Sequence, residues 1–125
     1  MKKLIVIIIL FMISFAANAQ DVFIFNVTGV SYSINQSEFN KIKKVDMTFI
    51  WDTETSVITI DSKKRQTYHY TKLYSKYFDD HSEMTGRARD EDNQIVDITY
   101  YNYTNGLILF LIEYSDAALL YNLEP

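Results

Sequence analysis

Apolar side chains recur at every second residue through most of this chain, and that spacing commits it to β-strands with one buried face. Phe23, Phe25 and Val27 share a face. Val45, Met47, Phe49 and Trp51 share another, opposite Lys44, Asp46 and Thr48, and Val96, Ile98 and Tyr100 stand opposite Asp97 and Thr99. Ile58 with Ile60, and Tyr68 with Tyr70, repeat the pattern in shorter runs. Leu107 to Ile112 is apolar on both faces, as expected of a strand covered on both sides or one whose second face meets something apolar. Ala118 to Tyr121 supply the last strand.

Polar breaks at Asp52 to Thr55, Asp61 to Arg65, Asp79 to Ser82, Asp90 to Asn93, Asn105-Gly106 and Ser115-Asp116 separate these runs. Breaks this short make hairpins, because a parallel connection takes a dozen residues or more. The expected fold is therefore all-β: an antiparallel meander of about seven or eight strands forming a small barrel or a barrel-like sandwich. Asn105-Gly106 is the strongest turn signal, since both residues tolerate the positive φ of a tight hairpin. Gly86, inside the polar run Glu83 to Asp90, marks a bend at a barrel corner. Phe49, Trp51, Ile58, Ile98, Phe110 and Tyr121 are expected to point inward. Two segments are ambiguous. Ser33 to Lys41 reads as one helical turn or as a loop over one end of the sheet. Leu73, Tyr74, Tyr77 and Phe78 have helical spacing, yet their aromatic neighbourhood favours a long strand continuing from Tyr70.

The first nineteen residues read as a secretory signal peptide rather than as part of the fold. Met1-Lys2-Lys3 is a short positive region, Leu4 to Phe15 is apolar, and Ala17-Asn18-Ala19 is a small-x-small cleavage site before Gln20. An anchor spanning about 30 Å of hydrocarbon takes roughly 20 apolar residues, more than this run supplies. Residues 20–125 then form a single all-β domain, exported to the periplasm or secreted, with no membrane association once the signal is cleaved. Losing Lys2 and Lys3 shifts the net charge of the 125-residue chain from −4 to −6, and an acidic surface disfavours both nucleic acid and anionic lipid as partners. The chain has no Cys, so neither a lipidated N-terminal Cys nor a disulfide is available.

Asp52 to Ile60 with Asp61-Ser62, Gln66 and Tyr68, Asp90 to Gln94, and Leu109, Ile112, Tyr114, Asp116 and Tyr121-Asn122-Leu123 follow one another in an order that resembles a group of small exported proteins of unknown function from Bacteroidales-type bacteria. The resemblance covers most of residues 20–125. It rests on turn and strand-end residues, so it implies the meander and carries over no catalytic residue. Related chains often place a Cys pair around the Asp90 to Gln94 turn, where this one has Ala88 and Ile95.

Residues that carry chemistry are sparse. No nucleophile motif accompanies either histidine. His69, between Tyr68 and Tyr70, falls on the opposite strand face and reads as solvated. His81 sits in the polar tip Asp79-Asp80-His81-Ser82-Glu83, where a carboxylate raises its pKa or shares a metal, and where a solvated hairpin explains the same residues. Asp90-Glu91-Asp92-Asn93 lacks the spacing of a calcium loop and reads as an acidic turn. Asp97 and Glu113 are candidates for a carboxylate pair on neighbouring strands, and Lys63-Lys64-Arg65 is a positive hairpin tip.

The distinctive feature is ten Tyr in so short a chain. Tyr presents a flat apolar body and one hydroxyl, suited to stacking on sugars or to protein contacts, although it also simply favours strands. The leading expectation is a non-enzymatic exported binding or interaction module that recognises a protein or glycan at its surface in preference to an internal apolar ligand. Its binding residues are Tyr101 and Tyr103, which alternate away from Val96, Ile98 and Tyr100, and no catalytic residue, metal site or cofactor is expected. The alternative is a small secreted hydrolase or metal-dependent enzyme using His69 or His81 with acidic neighbours.

Overall fold

The computed structural model describes residues 22–35 and 38–125, and the signal-peptide reading of residues 1–19 lies outside them. Eight antiparallel strands run in sequence order around a closed barrel. They are β1 (Val22–Ile34), β2 (Lys43–Asp52), β3 (Val57–Asp61), β4 (Gln66–Tyr77), β5 (His81–Arg89), β6 (Ile95–Tyr103), β7 (Ile108–Glu113) and β8 (Ala117–Glu124). Of the two architectures the sequence allows, the barrel is the one adopted. Closure is made by β1, whose Val30 stands opposite Lys43 of β2 on one side and Tyr121 of β8 on the other. A closed sheet leaves no unpaired edge to template association.

Alternation sends one residue set inward on every strand. Met84, Tyr100, Phe110 and Tyr121 form a cross-strand row that ends at Val30, and Gly86, Ile98, Ile112 and Leu119 form the next. Phe49, Trp51, Ile58, Ile98, Phe110 and Tyr121 are all buried, as the alternation predicts. Aromatic rings fill the interior edge to face: Phe49 meets Phe110 at 4.9 Å between centroids and Trp51 meets Tyr100 at 5.2 Å. Trp51 donates its indole N–H to the Tyr70 hydroxyl at 2.9 Å, which settles the polar end of a large buried ring.

One end of the interior is polar. Tyr68 is fully buried, and burial above all, with the neighbouring Tyr114 hydroxyl second, pushes its phenol far above the ordinary range. Tyr121, pushed up to about 12 chiefly by burial, donates to the Gln66 side chain at 3.3 Å. The Asp90 to Gln94 turn folds over this end. One Asp90 carboxylate oxygen accepts the backbone N–H groups of Asp92 at 3.0 Å and Gln94 at 2.8 Å, and the other accepts the Tyr114 hydroxyl at 3.1 Å. The acidic turn expected here is present, and Asp90, only 7% exposed, organises it from inside.

The bend expected at Gly86 is present. Gly86 faces Leu73 of β4 across a register shift between Tyr70 and Leu73. A Cβ there would collide with the Lys72 carbonyl oxygen and come within 2.8 Å of the Leu73 side chain, so the strands approach too closely for any other residue. The turn at Asn105-Gly106 is a three-residue loop in which only Gly106 takes positive φ, at 95°. Asn105 contributes through its side chain, whose oxygen accepts the Leu107 N–H at 3.0 Å.

The segment from Leu73 to Phe78 is extended, and the described residues of the other ambiguous segment, 33–35 and 38–41, contain no helix. β4 continues through Tyr74 to Tyr77, with Phe78 just beyond it. Ser33 and Ile34 end β1, and residues 38–42 return without helix. Asn40 pairs back on Tyr32: its backbone N–H donates to the Tyr32 carbonyl at 3.0 Å, and its side-chain oxygen accepts the Tyr32 N–H at 2.8 Å. A side-chain amide thus completes a ladder that the backbone alone does not. On the outer face of β7, Leu111 stands between Thr99 and Leu120 in register.

Candidate functional site

The β5–β6 register places His81 opposite Tyr103 and Glu83 opposite Tyr101. All four side chains belong to the outer face, because their even-numbered neighbours Met84, Ile98 and Tyr100 face the core. The residues expected to bind, Tyr101 and Tyr103, and the histidine of the alternative enzymatic reading are therefore one cluster. The two tyrosine rings stack at 6.4 Å and 20°. His81 lies against Tyr103 at 4.8 Å and against Phe78 at 4.6 Å and 8°. Both tyrosines are half-buried by these neighbours and do not project freely.

Two hairpin turns hold the cluster. Phe78 donates its backbone N–H to the His81 carbonyl at 2.9 Å, closing the β4–β5 turn. The Asp80 carbonyl accepts both the Thr104 N–H at 2.9 Å and the Thr104 hydroxyl at 3.2 Å, tying that turn to the one after β6. Tyr77, Phe78, His81, Asn102 and Tyr103 line an open concavity of about 360 Å³ at this lip of the barrel. Rings, a side-chain amide and hydroxyl groups alternate along its wall, a mixture suited to ligands with both apolar and hydrogen-bonding surface.

Carboxylates occupy both imidazole nitrogens. Nδ1 lies 2.7 Å from an Asp80 oxygen and Nε2 lies 3.1 Å from a Glu83 oxygen. The Asp80 contact, then the Glu83 contact, raises the His81 pKa above its ordinary value, and the same histidine lowers that of Asp80. Burial, followed by Glu83 and Glu113, raises the Tyr101 phenol. A general base needs a nitrogen lone pair directed at the proton it takes, and here both nitrogens are directed at acceptors.

The other sequence candidates lie elsewhere. His69 pairs with Arg89 at the far end of β5, eight residues from His81, or roughly 25 Å at strand rise. It is exposed among Thr71, Arg87, Arg89 and Ile95. Asp97 and Glu113 do stand directly opposite each other on the outer face, and the Arg87 guanidinium lies 3.5 Å from Asp97. Among the described residues no group of three or more His, Asp or Glu side chains is placed to hold a metal ion. Phe78 is the cluster member that sequence reasoning missed as a contact; its only signal was an apolar residue beside an acidic turn. No family model, curated protein or solved structure matches the chain.

Proposed function

We propose that the protein is an exported, non-enzymatic recognition module that binds a protein or glycan through the outer face of β5 and β6. The observation that carries this reading is the contiguous outer stack of Phe78, His81, Tyr103 and Tyr101. Aromatic surface outside the core costs solubility, and a partner that covers it removes that cost. The packed interior supports the same reading, because Phe49, Phe110, Trp51 and Tyr100 occupy the space that an internal apolar ligand would need. Export is supported by the N-terminal sequence pattern and by the resemblance to small exported proteins.

The test compares wild type with a Tyr101→Ala, Tyr103→Ala double variant against a glycan panel and native extracts. Both substitutions fall on the outer face, so the double variant is expected to keep the wild-type circular dichroism spectrum. Its capture of glycan or protein is expected to fall at least about tenfold, in line with aromatic residues dominating recognition surfaces. Equal capture by the two proteins removes this face from consideration.

A further inference from the structure

Neutral imidazole has one N–H donor, and carboxylates only accept. With Asp80 at one nitrogen of His81 and Glu83 at the other, both contacts are hydrogen bonds only when the ring carries two protons. In the neutral ring one nitrogen would turn its lone pair toward carboxylate lone pairs, and one of the two acids must withdraw. We infer that protonation of His81 closes a clamp that assembles the aromatic face, so that recognition through Tyr101 and Tyr103 is favoured in mildly acidic surroundings and relaxes as the medium becomes alkaline. The inference rests on the reading of that face as the working surface.

The geometry couples the proton to the rings. Asp80 belongs to the turn that carries Phe78, and its carbonyl holds Thr104 beyond β6, so withdrawal of its carboxylate loosens the segment joining the two hairpins. The charged ring also attracts the faces of Phe78 and Tyr103 more strongly than the neutral ring does. The ionisable groups around His81 are Asp79 and Asp80 of the turn, Glu83 of β5, Tyr101 and Tyr103 of β6, and Tyr77 and Lys76 of β4, the latter opposite Glu83. The sign follows from the directions of the shifts. The raised His81 value means its contribution is complete below the ordinary imidazole pKa of 6.5 and is lost as pH rises through the folded value. The lowered Asp80 value means its contribution is present above 3.8 and is lost as pH falls through the folded value, so the clamp holds between the two.

The test is an NMR titration of the purified protein, with His69→Asn used to assign the two imidazole resonances. His81 is expected to titrate with a midpoint above 6.5. The ring resonances of Phe78 and Tyr103 are expected to move with that midpoint, and the Thr104 amide to lose protection above it. Asp80→Asn and Glu83→Gln are each expected to lower the midpoint, and glycan or extract capture is expected to be stronger at about pH 5.5 than at about pH 8.5. A midpoint at or below 6.5, or rings that do not follow it, overturns the clamp even if the Tyr101→Ala, Tyr103→Ala variant has lost binding. A clamp that titrates as expected while the double variant binds like wild type overturns the inference through its premise instead.

Discussion

Truncation of Phe110 to alanine is expected to cost about 3 to 5 kcal/mol of folding stability, because a cavity remains where a fully enclosed ring was removed. Phe110 is 1% exposed, stands between Tyr100 and Tyr121 in register, and packs edge to face on Phe49 at 4.9 Å. Few domains of this size exceed about 5 to 15 kcal/mol in total, so the loss takes a large share and belongs in a urea titration. Asp97→Ala is the matching control. Asp97 lies one position along β6 from Ile98, its side chain is 64% exposed, and its ion pair with Arg87 is exposed on both sides. Its replacement is expected to change stability by less than about 0.5 kcal/mol. Comparable losses from both substitutions would mean that the strand faces are exchanged by a one-residue slip.

Asp90→Ala is expected to cost about 2 to 4 kcal/mol, although the residue sits in a turn of four polar residues where substitution is ordinarily mild. The carboxylate satisfies two backbone N–H groups and the Tyr114 hydroxyl at once, and its removal leaves these donors without their acceptor beside a buried end of the barrel. Asp90→Asn keeps a side-chain oxygen for the Asp92 and Gln94 N–H groups and is expected to recover most of the loss, leaving about 1 kcal/mol. Thermal unfolding separates the two, since each kcal/mol shifts the midpoint by about 4 to 8 °C in a domain this small. An Asp90→Ala protein as stable as wild type would place the turn outside the cooperative fold.

Strand faces were legible because alternation is a local property: each of the six residues expected inside is buried, from Phe49 in β2 to Tyr121 in β8. Closure was not, because it depends on the pairing of Val30 with Tyr121, residues ninety-one positions apart with no local signal linking them. The corner at Gly86 was readable from a lone glycine in a polar strand, whereas the return of residues 38–42 was not, since it uses the Asn40 side chain as a substitute for backbone. The Asp90 to Asn93 turn was legible as a turn, and Asn93 donates its N–H to the Asp90 carbonyl at 3.0 Å, but the inward role of the Asp90 carboxylate was not. Nothing local revealed that Tyr114, twenty-four residues on, would reach back to it.

The site divides in the same way. The outward direction of Tyr101 and Tyr103 follows from alternation against Ile98 and Tyr100. Their meeting with His81 depends on the β5–β6 register, which pairs His81 with Tyr103 and Glu83 with Tyr101. Two candidates that the sequence assigned to different chemistries, a tyrosine pair for binding and a histidine for catalysis, became one surface through that register.

The central claim, that recognition takes place on the outside of a filled barrel, is tested most directly by mapping a captured glycan or protein onto the isotope-labelled barrel through its backbone and side-chain shift changes. The account predicts that the largest changes fall on Phe78, His81, Tyr101 and Tyr103. Changes concentrated instead on the inward residues Phe49, Phe110 and Ile112 would contradict it and place the ligand inside the barrel.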